Sequence, residues 1–325
     1  MKLSFVIPYY DVAPVLLRRC LESVRAFMSE VPQWQWEAWV VDDGSADPLV
    51  AQREADGMRC AHIKVLHPPH GGLGAARNVG LDHCTGHYVM LLDADDYLLG
   101  GTAPALLAFA QQRRPDILAY GMKKVYATVP LPCRRRAHLH LCYEGSGAAY
   151  MARHNLRAAA WGYLIRREVL GGLRFPEGVY HEDEAFTPRL WLRARSVCVS
   201  RLPVYAYYQR PDSIVHAAGR QRLALRMAHL RQVWAGLRRE PTNDALQRRA
   251  LQRRVDTLAS DMWWRLLRES PDVAFWRQEE QRMRQAGCCP LPFRAYTLRY
   301  AVLCLLSRWR GTAVAMVRMW HPPVS

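Results

Sequence analysis

Tyr88-Val89-Met90-Leu91-Leu92-Asp93-Ala94-Asp95-Asp96 joins a five-residue apolar run directly to a cluster of three carboxylates. An apolar run of this length reads as a buried strand. The acidic turn then falls at the carboxyl edge of that strand, which is where open α/β sheets bind ligands. Carboxylates this close repel one another unless a cation neutralises them. A hard divalent ion, Mg²⁺ or Mn²⁺, bound by one or two carboxylates and completed by phosphate oxygens, is the usual way a diphosphate is held and activated as a leaving group. Taken alone, the segment reads better as an acidic, solvated turn that caps the next helix. Its neighbours in the sequence decide between the two.

Working outward, short apolar runs alternate with helical patterns, the signature of β-α units feeding a mostly parallel sheet. Strands are predicted over 3–8, 38–41, 62–66, 88–92 and 117–121. Leu17, Leu21, Val24 and Met28 recur at helical spacing between the first two, and another helix opens at Ala75 behind Gly71, Gly72 and Gly74. Asp42-Asp43-Gly44-Ser45 closes the second strand, so a second acidic turn reaches the same edge. There a carboxylate can accept from a base N–H or a ribose hydroxyl; alone, this turn reads as a helix N-cap before Pro48. In Gly71-Gly72-Leu73-Gly74-Ala75-Ala76-Arg77-Asn78, glycine-rich backbone opening a helix can approach a diphosphate and Arg77 can add a charged contact. The G-x-G-x-x-G dinucleotide spacing is absent.

Further on, 123–145 reads as a polar hairpin, and 148–156 and 160–170 as helices, the latter stopped by Gly171-Gly172. His181-Glu182-Asp183-Glu184 follows in a loop, its acids also suited to a helix N-terminus.

Residues 3–97 and 158–216 resemble the family 2 glycosyltransferases of GT-A fold. The resemblance is carried by Phe5-Val6-Ile7-Pro8-Tyr9-Tyr10-Asp11, Val40-Val41-Asp42-Asp43-Gly44-Ser45, Gly74-Ala75-Ala76-Arg77-Asn78-Val79-Gly80 and Leu92-Asp93-Ala94-Asp95-Asp96. In its second half it is carried by Ala160-Trp161-Gly162-Tyr163-Leu164-Ile165-Arg166-Arg167, Phe175-Pro176-Glu177-Gly178 and Glu182-Asp183 with Phe186. Asp11 stands where the family usually has Asn. The resemblance implies that Pro8, Tyr10 and Asp43 surround the base and that Arg77 lies near the nucleotide. It implies that the segment from Asp93 to Asp96 contacts ribose and metal, Asp93 and Asp95 on the nucleotide and Asp95 and Asp96 on the metal. It further implies that the Glu182-Asp183 pair supplies the general base, Asp183 first, and that transfer inverts the anomeric centre. A carboxylate ionised at neutral pH is chemically suited to take a proton from an attacking hydroxyl. Arg210 and Ser213, in the aromatic segment after Tyr205, are expected to close over the diphosphate; His216 is left out of the metal shell.

The expected architecture is therefore α/β. It comprises a GT-A, Rossmann-like, mostly parallel sheet with flanking helices over 1–218 (nucleotide half 1–122, acceptor half 123–218) and a basic helical region over 219–325. In that region Leu223, Met227, Leu230, Trp234 and Leu237 mark one helical face, and Leu251, Val255, Leu258, Met262 and Leu266 another. The expected partners are a nucleotide-sugar donor, a UDP-sugar first, and a glycan or lipid-linked acceptor.

Composition adds location. The nine cysteines contain no C-x-x-C pair and read as reduced thiols of a cytoplasmic protein. Residues 1–8, which hold the strand over 3–8, carry no small-residue cleavage site and do not read as a signal peptide. Arginines interrupt every apolar window long enough to span a bilayer. Of the net +16, the larger part lies in 219–325, where 20 arginines face 8 carboxylates. That excess calls for an anionic partner. No helix-turn-helix, zinc finger or aromatic RNA-binding motif accompanies it, and the acidic turns would repel a polyanion, so no specific nucleic acid is expected. A nucleotidyltransferase would need a glycine- and cation-rich loop after the first strand; Pro8-Tyr9-Tyr10-Asp11 is not one. Near the end, Leu298, Val302, Leu305, Leu306 and Trp309 form a helical stripe flanked by Arg299 and Arg308. Beyond Gly311, Met316, Val317, Met319 and Trp320 add a second apolar patch. These stripes either rest on an anionic membrane at its inner face or pack on the catalytic domain.

Overall fold

The computed structural model describes residues 1–126, 137–209, 219–309 and 314. The chain divides into two compact units, Met1–Gly147 with Arg157–Pro211, and Ala148–Leu156 with Asp212–Ser325.

In the first unit, β1 (Lys2–Tyr9), β2 (Gln35–Asp42), β3 (Ile63–Leu66) and β4 (Tyr88–Leu91) run parallel in the order β3-β2-β1-β4. They are joined by α1 (Pro14–Ser29), α2 (Leu49–Gly57) and α3 (Leu73–His83). β1 is buried from its second residue to its last, as a strand covered on both faces must be. α1 starts on a proline, which its free first turn tolerates, and buries the predicted Leu17, Leu21, Val24 and Met28. α3 lies so close to β1 that a Cβ on Gly80 would come within 2.3 Å of Val6 Cγ1. Because these strands are parallel, the ends of β1, β2 and β4 share one edge, and both acidic turns lie there.

The sheet continues through β5 (Tyr97–Leu98), α4 (Ala103–Arg113), β6 (Ile117–Val125), β7 (Leu141–Gly145) and α5 (Gly147–Arg153), most of which belongs to the second unit. Then follow β8 (Tyr163–Arg166), α6 (Arg167–Leu170), α7 (Glu182–Arg193) and β9 (Val197–Tyr208). The full order is β3-β2-β1-β4-β8-β6-β9-β5, with β7 also on β9. This half is mixed: β8 runs antiparallel to both β4 and β6, whereas β6 and β9 are parallel.

Two expectations are corrected here. Residues 160–170 do not form one helix; a 3-10 turn at Ala160–Gly162 leads into β8 and then one turn of α6. Tyr163, Leu164 and Ile165 are buried between β4 and β6, and a run this short carries no periodicity to separate strand from helix. Nor do 123–145 form a hairpin. β6 extends to Val125, and β7 pairs with the outer edge of the long β9, leaving 127–136 outside the described residues.

Glu37, on β2, ties three segments. Its Oε1 accepts from Ser4 Oγ at 2.6 Å and from Thr85 N at 2.7 Å, and its Oε2 from Lys2 Nζ at 2.6 Å. Burial by itself would raise its pKa, but the bonds from Lys2, Ser4 and Thr85 outweigh burial and lower it from 4.5 to about 2.

The second unit is helical. α8 (Arg220–Arg238) and α9 (Ala245–Glu269) bury both predicted apolar faces. α10 (Val273–Gln285) and α11 (Leu298–Leu306) complete it. Asp244, Asp272 and Thr297 cap α9, α10 and α11, each accepting from a backbone N–H three residues on. Within this unit Arg253 donates to Asn155 at 3.1 Å, so the short 148–156 segment packs with helices distant in sequence. Among the described residues no helix is long and apolar enough to cross a membrane.

A folded pKa below the unfolded one means that Glu37 stabilises fully above pH 4.5 and loses that contribution as pH falls towards 2. Urea denaturation should therefore find Glu37→Gln less stable than the parent at neutral pH, with the gap closing across that window. A gap independent of pH would contradict the assignment.

Candidate active site

The site is built on α3. Gly72, at φ 87°, forms its N-cap, and the preceding loop is held by Asp43 at the end of β2. Asp43 Oδ1 accepts from Gly71 N at 2.8 Å and Oδ2 from Gly72 N at 2.9 Å. His70 Nδ1 lies 3.0 Å from the same Oδ2. The expected base-binding carboxylate thus holds the glycine loop with both oxygens, and Asp42 Oδ1 accepts from Ser45 N at 3.0 Å. Pro8 is buried in β1 beside Val41. Tyr10 is half exposed at the strand's end, its ring 5.0 Å from that of His70. Tyr10 and His70 give this edge an aromatic wall; His70 was not read from the sequence, although its place next to the glycines was the available signal.

Five residues past the cap, about 7 Å along the helix axis, stands Arg77. It is 3% exposed and stretched between two carboxylates. NH2 donates to Asp93 Oδ1 at 2.8 Å and NH1 to Glu182 Oε1 at 2.5 Å. Burial disfavours its charge, yet Asp93, Glu182 and Asp183 together more than restore it, so its pKa is raised. Sequence reading puts Arg77 near the nucleotide. The structure makes it the link between the β4 turn and the first turn of α7. Asn78, next in line, donates to Phe175 O at 2.9 Å and accepts from Phe175 N at 2.8 Å. A Cβ on Gly74 would come within 2.5 Å of Pro176 O. One face of α3 thereby fixes the loop that leads to Glu182 and Asp183, and Phe175 stacks on Phe186 of α7 at 3.8 Å.

His181, in the left-handed region at φ 64°, turns the chain into α7, whose first turn holds Glu182, Asp183 and Glu184. Glu182 is buried against Arg77, while Asp183 is partly exposed and accepts from Glu184 N at 2.9 Å.

The three aspartates of the β4 turn differ sharply. Asp93 is partly exposed and bound to Arg77. Asp95 is partly exposed, its backbone carbonyl bonded by Arg19. Asp96 is fully buried; Oδ2 accepts from Tyr205 Oη at 2.6 Å and Oδ1 from Tyr208 N at 2.7 Å. Burial first, then the charges of Asp95 and Asp93, push its pKa well above the carboxylate range. Asp96 therefore supports the turn from β9, and Tyr205 in turn accepts from Asp93 N at 3.2 Å. Trp161 stacks on Tyr205 at 4.4 Å and on Tyr207 at 5.5 Å, an aromatic layer beside the acidic turn. Tyr205 and Tyr207, two residues apart on β9, share one strand face; Trp161 as their partner was not legible in the sequence. Arg210 and Ser213 lie outside the described residues.

Among the described residues no three His, Cys, Asp or Glu side chains form a complete metal site. The donors available at the turn are hard carboxylate oxygens, which fits Mg²⁺ or Mn²⁺ taking its other ligands from phosphates and water.

Residues 4–171, just over half the chain, match the Glycosyl transferase family 2 profile, and the chain belongs to that family. It is 29% identical over 219 residues to an uncharacterized glycosyltransferase, EpsJ, of Bacillus subtilis, a match covering 65% of this chain and 62% of that protein. It is 27% identical over 213 residues to the poly(ribitol-phosphate) beta-N-acetylglucosaminyltransferase TarS of Staphylococcus aureus, covering 64% of this chain and 35% of TarS. The structure of S. aureus TarS 1-349 in complex with UDP-GlcNAc superposes with a TM-score of 0.68 at 20% identity, covering 99% of this chain and 90% of that one. A mannosyltransferase from Pyrobaculum calidifontis, solved with GDP-Man and Mn²⁺, gives 0.55 at 16% identity, covering 98% and 82%. The fold is thus the GT-A type expected from the sequence.

Replacing Arg77 by Met would leave Asp93 and Glu182 facing each other without a cation. Breaking a buried pair in this way costs about 3–5 kcal/mol, so Arg77→Met should lose that much in urea denaturation. A loss below about 1 kcal/mol, the range of exposed pairs, would mean that Arg77 is not the link described.

Proposed function

We propose that the chain transfers a sugar from a nucleoside diphosphate donor, a UDP-sugar first, to a hydroxyl of a glycan or lipid-linked acceptor, with inversion. The observation that carries this reading is the Arg77 link, which brings the acidic turn after β4 and the Glu182-Asp183 turn of α7 to one edge of the sheet. Family membership supports it.

In this reading the aromatic pair Tyr10 and His70 flanks the base, and the loop held by Asp43 gives the nucleotide a fixed rim. Asp93 and Asp95 face the ribose and diphosphate. Asp183 takes the proton from the acceptor hydroxyl as its oxygen bonds to the anomeric carbon and the bond from that carbon to the diphosphate breaks. Glu182 holds Asp183's turn in place through Arg77. A divalent ion, Mn²⁺ or Mg²⁺, held at the Asp95-Asp96 turn with donor oxygens, would stabilise charge on the departing diphosphate. Asp95 is the better direct ligand, because both Asp96 oxygens already accept from β9. We further place the chain peripherally at an anionic membrane, where the excess arginine of 219–325 would be answered.

Two substitutions separate binding from chemistry. Asp95→Ala should abolish Mn²⁺-dependent UDP binding in calorimetry; binding equal to the parent's, or unchanged by EDTA, would remove the metal from the account. Asp183→Asn should keep UDP affinity and lose transfer by about 10²-fold or more, the size of a general-base contribution. Parallel loss of affinity and rate would make Asp183 a donor ligand instead.

A further inference from the structure

We infer that the outer face of α11 is the surface by which the chain lies on an anionic lipid membrane. It rests on the peripheral placement proposed above and not on the transfer chemistry.

Leu298 is 82% exposed, Val302 47%, Leu305 52% and Trp309 69%. At about 100° per residue Leu298, Val302 and Leu305 fall within an arc of about 60° on α11, one continuous apolar stripe, and Trp309 follows just past the helix's end. On the opposite face Tyr300, Leu303 and Cys304 are buried, so the helix already has its core contact and the stripe is a second, outward one. Phe293, 63% exposed, adds a further large apolar side chain to the segment. Its ring lies 3.8 Å from the Arg308 guanidinium.

What should cover the stripe is indicated by charge. Arg299 stands on α11 at about 90° to the stripe and Arg308 lies in the turn just after the helix, placing long basic side chains where they can reach headgroups while the apolar residues enter the acyl boundary. Arg294 adjoins Phe293 and is exposed. Across residues 281–325 there are seven arginines and not one Asp or Glu. Arg299 pairs with Asp261 of α9 at 3.2 Å and Arg294 lies 3.9 Å from Asp256, but the region as a whole keeps its arginine excess, so two copies meeting through this face would bring like net charge together. A phosphate-bearing lipid surface answers both the apolar stripe and the net positive charge of 219–325, where 20 arginines outnumber 8 carboxylates. Each basic residue near such a surface adds about 1 kcal/mol, a factor of about five in partitioning.

Flotation of the full chain with phosphatidylcholine vesicles, with and without phosphatidylglycerol, tests this without donor or acceptor. The chain should float only with the anionic vesicles and less as salt rises. Leu298→Glu combined with Leu305→Glu should weaken partitioning at least about tenfold, from lost apolar burial, while the thermal melt stays unchanged. Leu298→Glu alone, at the most exposed position, should give a smaller loss in the same direction. No flotation at low salt would overturn both this inference and the peripheral placement. Equal flotation of parent and variants would overturn the α11 face while leaving the placement standing. Dimerisation of the parent lost in the double variant, without lipid binding, would assign the face to a second copy and overturn the inference.

Discussion

The pairing of one buried guanidinium with two carboxylates holds the catalytic unit's edge together. Arg77 reaches Asp93, 16 residues on, and Glu182, 105 residues on, from a position almost closed to water. Taking an ion into such a place is costly unless partners and geometry compensate, and here both terminal nitrogens are engaged. The same helix face adds Asn78, whose amide closes on the backbone of Phe175, and Gly74, whose missing side chain lets that loop approach. The first turn of α7 therefore derives its position from α3, so damage to Arg77 should disturb both at once.

The carboxylates that look alike in sequence have been divided by their surroundings. Asp43 and Asp42 hold loops through backbone N–H groups, Asp96 anchors the acidic turn to β9 from inside, and Asp93 is bound to Arg77. Asp93, Asp95 and Asp183 are partly exposed, the first two after β4 and the last in the first turn of α7. In the proposed reading, chemistry at this edge falls to few groups, with the others fixing where those few stand.

Much of this was legible from the chain alone. Strands β1, β2, β3, β4 and β6 announced themselves as bounded apolar runs, and α1, α8 and α9 by their 3.6-residue faces, because burial on one side leaves a pattern that needs no partner to be read. β8 escaped because Tyr163-Leu164-Ile165 is too short to show a period and its strand identity comes from β4 and β6, far away in sequence. The role of Arg77 escaped for the same reason: a guanidinium after a glycine loop suits a phosphate equally well, and only the fold brings Glu182 beside it. The α11 stripe was visible as a pattern, but whether it faced core or solvent depended on packing around Tyr300 and Leu303.

The central claim is that this edge moves a sugar and not a nucleotide. Incubating the purified chain with a panel of nucleotide sugars and Mn²⁺, and identifying the phosphate product, tests it most directly. The account predicts release of a nucleoside diphosphate from one donor, accelerated by an acceptor glycan. Release of pyrophosphate from a nucleoside triphosphate, with every nucleotide sugar left intact, would contradict it.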